Sequence, residues 1–270
     1  MPFEPVLLGK LSRPAAAILS LWLLAAPARA QEEATLSVSE ATELLQSRQA
    51  ADIQRGLESL GLSGARGGVA PIAARIEQGL PPQLLQMAID TLSILGRREA
   101  GPILTRLMLH RRPDVRLSAV RAIAATRPRN AEEALTEGLS DLAPEVRGAA
   151  AEGLGTIGAT GALDALFAAM ERQVPEAPMA IGQLATPAAV DRFLGYLGRV
   201  SLDVLGPALS EMLSRQDLAS SARVSIVHRI SEFATPGARQ ILQDFVDTSS
   251  ESEGGAARRA AIDAMPRMGN

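Results

Sequence analysis

The sequence predicts an all-α solenoid of stacked antiparallel helix pairs, and three observations carry that prediction. The segment Pro113-Asp114-Val115-Arg116-Leu117-Ser118-Ala119-Val120-Arg121-Ala122-Ile123 returns 31 positions later as Pro144-Glu145-Val146-Arg147-Gly148-Ala149-Ala150-Ala151-Glu152-Gly153-Leu154. Pro82 and Pro175 extend the same interval in both directions, and a period between about 20 and 50 residues marks a repeat array. Within each unit the apolar residues fall three and four apart without strict alternation, which is the helical period. Aromatic residues make up only 3% of the chain, so its helices must pack on small and aliphatic side chains at close range.

The elements follow in chain order. Lys10 and Arg13 precede an apolar run over residues 14–26, and Ala28-Arg29-Ala30 supplies a small-x-small cleavage site, so residues 1–30 read as a secretory signal peptide. That run is shorter than the roughly 20 residues a membrane-spanning helix needs. The expectation is a chain beginning at Gln31, exported to a bacterial periplasm or beyond, with no membrane span once the signal is cleaved. With no cysteine there is neither a lipidation site nor a disulfide, and packing alone must hold the fold.

Residues 31–270 are assigned to the solenoid, with regular repeats over about 66–185, an irregular region over 186–221 and terminal repeats over 222–270. Residues 36–80 lack the proline clock, though 41–45 and 53–62 keep a helical pattern. One regular unit pairs a helix over 131–140 with one over 144–157, and the next pairs 161–173 with 175–184. Proline opens the second helix, where its missing N–H has no intrahelical partner to lose. Gly96 and Gly158 close it, because glycine adopts the left-handed cap without strain. Leu104, Leu135, Leu166, Met108, Leu139 and Met170 recur on the first helices and are assigned to the core, as are Leu92, Ile123, Leu154 and Met265 on the second.

Beyond Met170 the clock changes. Ala162-Leu163-Asp164 aligns with Ala189-Val190-Asp191 at an interval of 27, about one helical turn short. Ala185-Thr186-Pro187 aligns with Ala234-Thr235-Pro236 at 49, too long for one unit and too short for two, which predicts an extra helix between them. Second-helix register returns at residues 222–230 and again at 257–265. The polar, glycine-ended stretch 247–255 between them predicts a mobile loop.

The pattern Val115-Arg116-x-x-Ala119-x-x-Ala122-Ile123, repeated as Val146-Arg147-x-x-Ala150-x-x-Gly153-Leu154-Gly155-x-Ile157-Gly158, resembles HEAT repeats, in particular the short variety of phycobilisome-lyase-type HEAT proteins. The resemblance covers 82–185 well, 220–266 fairly and 36–80 weakly. It implies a right-handed HEAT-like superhelix that works by binding. Members of that family mostly serve as scaffolds or adaptors and a minority take part in attaching bilins, so the repeat specifies a fold and no particular partner.

Charge distribution supplies the candidate surface. Without Lys10, Arg13, Arg29 and Glu4 the chain keeps 24 of its 27 basic and 29 of its 30 acidic residues. Residues 97–129 hold nine arginines against two acidic residues, whereas 130–253 hold eight arginines against 18. Such polarity steers oppositely charged partners. Arg116, Arg147, Arg223 and Arg258 share one repeat position, where they either line up to grip an acidic partner or pair within the repeats. The protein-binding candidates are Arg116, Arg121 and Arg147, with Arg111 and Arg112 at the rim.

Several chemistries lack their signatures. His110 and His228 stand 118 positions apart with no cysteine and no i, i+4 pair, so no metal site is expected. No Gly-x-Ser-x-Gly or lysine dyad is present, and no catalytic residue or cofactor site is assigned. An acidic, aromatic-poor chain is a poor match for nucleic acid. The leading expectation is a non-catalytic protein-binding scaffold or adaptor of the bacterial cell envelope, its partner another protein or peptide, an acidic one if the arginines engage it. The alternatives are an enzyme or enzyme subunit resembling HEAT-like lyases that acts on a partner protein, and a self-associating envelope structural protein.

Overall fold

The computed structural model describes residues 36–268, so the segment read as a signal peptide lies outside the described residues. Fifteen α-helices occur among those residues: α1 Val38–Leu45, α2 Ala50–Ser63, α3 Val69–Gln78, α4 Pro82–Leu95, α5 Gly101–Leu107, α6 Pro113–Thr126, α7 Ala131–Gly138, α8 Pro144–Ile157, α9 Leu163–Glu171, α10 Ala177–Leu184, α11 Pro187–Leu194, α12 Leu202–Ser214, α13 Ser220–Ser231, α14 Pro236–Thr248 and α15 Glu251–Ala264. They form an all-α solenoid of two layers. The even-numbered helices α2 to α12 stack side by side, each on the next, and the odd-numbered helices cover them. None of the described helices is long and apolar enough to cross a membrane.

Local chemistry fixes the helix ends where the sequence places them. Pro82, Pro113 and Pro144 open α4, α6 and α8, and each of these helices runs 14 residues. Gly96 and Gly158 take left-handed caps after α4 and α8. Arg127 occupies the same cap after α6 at φ 48°, and its guanidinium Nη2 donates to the Thr156 carbonyl of the next unit at 3.0 Å. Leu92, Leu104, Ile123, Leu135, Leu139, Leu154, Leu166 and Met170 are buried as expected, while Met108 and Met265 are half-buried at the margin of the core.

Helices this short bury enough area only by close approach. A Cβ on Gly155 of α8 would lie 3.2 Å from the Ala180 Cα of α10, and one on Gly182 of α10 would lie 2.9 Å from the Ala208 carbonyl oxygen of α12. Glycine at these points lets backbone meet backbone across the stack.

The irregularity has a definite form. α10 has eight residues where α4, α6 and α8 have 14, and it begins at Ala177, two residues after Pro175, with Pro178 in its first turn. It passes to α11 through Ala185 and Thr186 alone, the Thr186 hydroxyl capping the Ala189 N–H. The expected extra helix is present as well: α11 and α12 stand between α10 and α13, where a regular unit has one helix. Chains of antiparallel helices alternate layers, so one added helix exchanges them. α13 therefore follows α11, α15 packs tightly on α13, and α14 follows α12. Second-helix sequence at Arg223 and Arg258 consequently lies in the other layer from Arg116 and Arg147, and the four arginines do not form one column.

The expected loop over 247–255 is not a loop. α14 runs to Thr248 and α15 starts at Glu251, with the Ser250 hydroxyl and the Glu253 carboxylate forming a reciprocal capping box. Ser-x-x-Glu at a helix start satisfies two otherwise orphaned N–H groups and outweighs the polarity of the stretch. The glycines make a kink instead, at Gly255 with φ 51° and ψ −128°.

Close approach at Gly182 predicts a sharp contrast between two alanine substitutions. Gly182→Ala should destabilise by about 1–3 kcal/mol because backbone must move to admit the methyl group. Gly61→Ala, whose nearest neighbour would be the Thr91 methyl at 3.5 Å, should stabilise α2 by about 0.5–1 kcal/mol. Urea denaturation followed by circular dichroism reads both.

Candidate functional site

Antiparallel helices place successive turns at opposite ends, which gives the solenoid two edges. The near edge carries the turns from odd to even helices at 108–112, 139–143, 172–176 and 195–201. The far edge carries the returns at 64–68, 96–100, 127–130 and 158–162. The basic stretch 97–129 is divided between them.

Arg116 and Arg147 hold near-edge turns closed. Arg116 Nη1 donates to the carbonyls of His110 and Arg111, and Arg147 Nη1 donates to those of Asp141 and Leu142 one unit later. Arg116 also grips the Asp141 carboxylate through Nε and Nη2, both at 2.7 Å, joining two units. Both side chains are largely buried, at 14% and 13% exposure. The guanidinium holds the Asp141 carboxyl below its usual range. Asp141 in turn accepts the Ala143 N–H at 2.8 Å, and His110 Nδ1 accepts the Arg112 N–H in the equivalent turn. Arg112 pairs with Asp114 across two residues. The structure thus gathers Arg111, Arg112, Arg116 and Arg147 at one edge and engages three of them internally. Arg111 stays exposed there, and Arg121 is exposed further along α6. Leu109 and Leu142 stand out from the same edge at 83% and 93% exposure.

An apolar concavity lies where the register slips. A groove of about 770 Å³ opens on the near edge between the α9–α10 turn and the α11–α12 connection. Met170, Val174, Met179, Val200, Val204 and Pro207 supply its apolar walls, and Glu171, Gln173, Ser201 and Asp203 its polar rim. The shortened α10 and the seven-residue connection 195–201 keep the neighbouring turns apart, so no side chain fills the space. Pro207 inside α12 brings no N–H to the Asp203 carbonyl and presents its ring to the groove.

Stacked planar groups fix one wall. Arg192 lies over the Phe167 ring at 4.0 Å, Phe167 and Tyr196 stack at 6.0 Å and 16°, and Arg199 lies over Tyr196 at 5.0 Å. The Tyr196 hydroxyl donates to Glu171 at 2.5 Å, and that carboxylate raises the phenol above its ordinary value. Glu171 and Arg199 are thereby engaged, while Asp203 makes no ion pair among the described residues. Met179 and Val204 stay exposed at 36% and 48%, apolar groups without cover.

None of the groove residues was among the expected site residues. Their signals in the sequence were the sole tyrosine, the prolines 175, 178 and 207, and the interval of 27 in place of 31. Among the described residues no group of His, Asp or Glu is placed to hold a metal ion.

The Arg116–Asp141 pair predicts a pH dependence. Its depressed folded-state pKa means that Asp141 stabilises fully above the unfolded value of about 3.9 and loses that contribution as pH falls through the folded value. Asp141→Asn should cost about 1–2 kcal/mol at pH 7. That gap should narrow in urea denaturation below about pH 4, and a gap unchanged at pH 3 contradicts an ionic staple.

Residues 107–177 match the HEAT repeat family. No curated protein matches the chain. Among solved structures it is similar to the complex of CpcE and CpcF of phycocyanin lyase from Nostoc sp. PCC7120, with TM-score 0.47 and 19% identity over 86% of this chain and 95% of that one. It is also similar to human deoxyhypusine hydroxylase in complex with glycerol, with TM-score 0.41 and 17% identity over 85% and 96%. A designed armadillo repeat protein in complex with the peptide (KR)4 gives TM-score 0.41 and 15% identity over 85% and 100%. The chain is an all-α solenoid in which residues 107–177 match the HEAT repeat family.

Proposed function

We propose that this protein is an exported, non-catalytic scaffold that seats a segment of a partner protein in the groove between Met170 and Ala208. The segment presents apolar side chains next to a lysine or arginine. The groove carries the reading, since a concavity with apolar walls and a few oriented polar groups is the usual form of a binding site. Met179 and Val204 offer area that a partner's side chains would remove from water. Asp203, free at the rim, gives a partner cation its counter-charge, and the surrounding acidic stretch 130–253 favours encounter with a basic segment. Export rests on Lys10, Arg13, the apolar run after them and Ala28-Arg29-Ala30.

Peptides selected from a random display library against the chain beginning at Gln31 test this. Selected sequences should combine apolar residues with lysine or arginine. Their affinity should fall at least about tenfold on Val204→Arg, which places a cation at an exposed wall position without touching the core. Asp203→Asn should weaken them less and flatten their salt dependence. Acidic or wholly polar selected sequences, or unchanged affinity on Val204→Arg, contradict the proposal.

A further inference from the structure

The arginines of the far edge behave differently from those of the near edge. Arg66 opens a 3₁₀ turn over Arg66–Gly68, Arg98 opens one over Arg98–Ala100, and Arg129 stands in the matching turn of the next unit. All three are exposed, and none of their guanidinium groups makes a hydrogen bond or ion pair among the described residues. Their neighbours are engaged: Arg97 Nη2 donates to the Gly64 carbonyl and Arg127 Nη2 to the Thr156 carbonyl, both at 3.0 Å, and Arg106 pairs with Glu77 at 2.8 Å. Guanidinium groups at these turns therefore do two jobs, and three consecutive far-edge turns, at 64–68, 96–100 and 127–130, each keep one exposed cation in reserve. Arg98 and Arg129 flank a cleft of about 690 Å³ whose walls include Pro102 and Pro128, with Thr105 and Asn130 at its floor and Glu99 as the one acidic lining residue. Asn130 donates to the Thr105 hydroxyl at 3.2 Å, so this polar pair is already ordered.

We infer that Arg66, Arg98 and Arg129 form a cationic ladder that binds an extended acidic segment of a protein across successive repeats. Stacked helices repeat at about 8–10 Å, which sets the spacing of the rungs. An extended polypeptide advances about 10 Å in three residues, so carboxylates at every third position fall in step with them. Guanidinium groups suit this because each can engage a carboxylate through two parallel N–H donors. Glu99 at the cleft mouth disfavours a uniformly charged polyanion, which cannot place an uncharged residue opposite it, whereas a peptide with spaced carboxylates can. The ladder occupies the edge opposite the groove and stands independently of the function proposed for it.

A synthetic peptide of about 12 residues with aspartate at every third position among serines, compared with a peptide of the same composition and its aspartates in one block, tests the ladder by fluorescence anisotropy at low and moderate salt. The spaced peptide should bind more tightly than the blocked one, and its affinity should fall with salt. Arg98→Gln with Arg129→Gln should weaken it at least about tenfold, while Arg111→Gln on the near edge should leave it unchanged. Thermal unfolding of both variants separates lost binding from lost fold, and these exposed positions should leave it unmoved. Saturating occupancy of the groove by a selected peptide should leave the aspartate peptide's affinity unchanged. No binding of the spaced peptide, equal binding of the blocked one, equal loss with the near-edge variant, or inorganic polyphosphate binding where the peptide does not would each overturn the ladder.

Discussion

Each helix pair in this chain has an apolar flank that only the next pair can cover, and this stacking constraint governs the rest. Repeat arrays meet it with nearest-neighbour interfaces alone. Here the interfaces are built from small residues, with Gly155 set against Ala180 and Gly182 against Ala208, so the helices bury area by proximity rather than by bulk. With no disulfides and few aromatic residues, the turns must also be held in place. Arginine does that work: Arg116 and Arg147 close their own turns through carbonyl contacts, and Arg97, Arg116 and Arg127 reach into neighbouring units.

The same constraint explains why an irregularity becomes a site. A shortened α10 and the added helix cannot be absorbed without changing which layer carries the tight stack, and the chain switches layers between α12 and α13. Just before that switch, the near-edge turns at 172–176 and 195–201 stay apart. The groove is what remains between them, apolar because its walls are core-type residues left without a covering unit.

Much of this was legible in the sequence, and what was hidden has physical causes. The interval of 31 residues, Pro113 and Pro144 at helix starts, and Gly96 and Gly158 at helix ends each act within a turn or two of themselves, so sequence shows them directly. The extra helix was legible from the interval of 49. Its consequence was not, because the layer of a helix depends on counting every helix before it. Arg223 and Arg258 therefore matched Arg116 and Arg147 in sequence and not in space. Arg116 was hidden in another way: its partner Asp141 is 25 residues distant, in the next unit, and only the stack brings them together. The groove combines both obstacles, since Met170, Met179 and Val204 come from three helices and none is unusual alone. The helix start at Glu251 could have been read from Ser250 and Glu253, whose capping pattern was outweighed by the polarity of its neighbours.

Hydrogen exchange followed by mass spectrometry, on the chain beginning at Gln31 with and without a saturating selected peptide, locates the functional surface most directly. If the slip in register creates the binding site, protection should rise over residues 170–179 and 196–208 and stay unchanged over the near-edge turns at 108–112 and 139–143. Protection confined to those turns, with none across the groove, would contradict it.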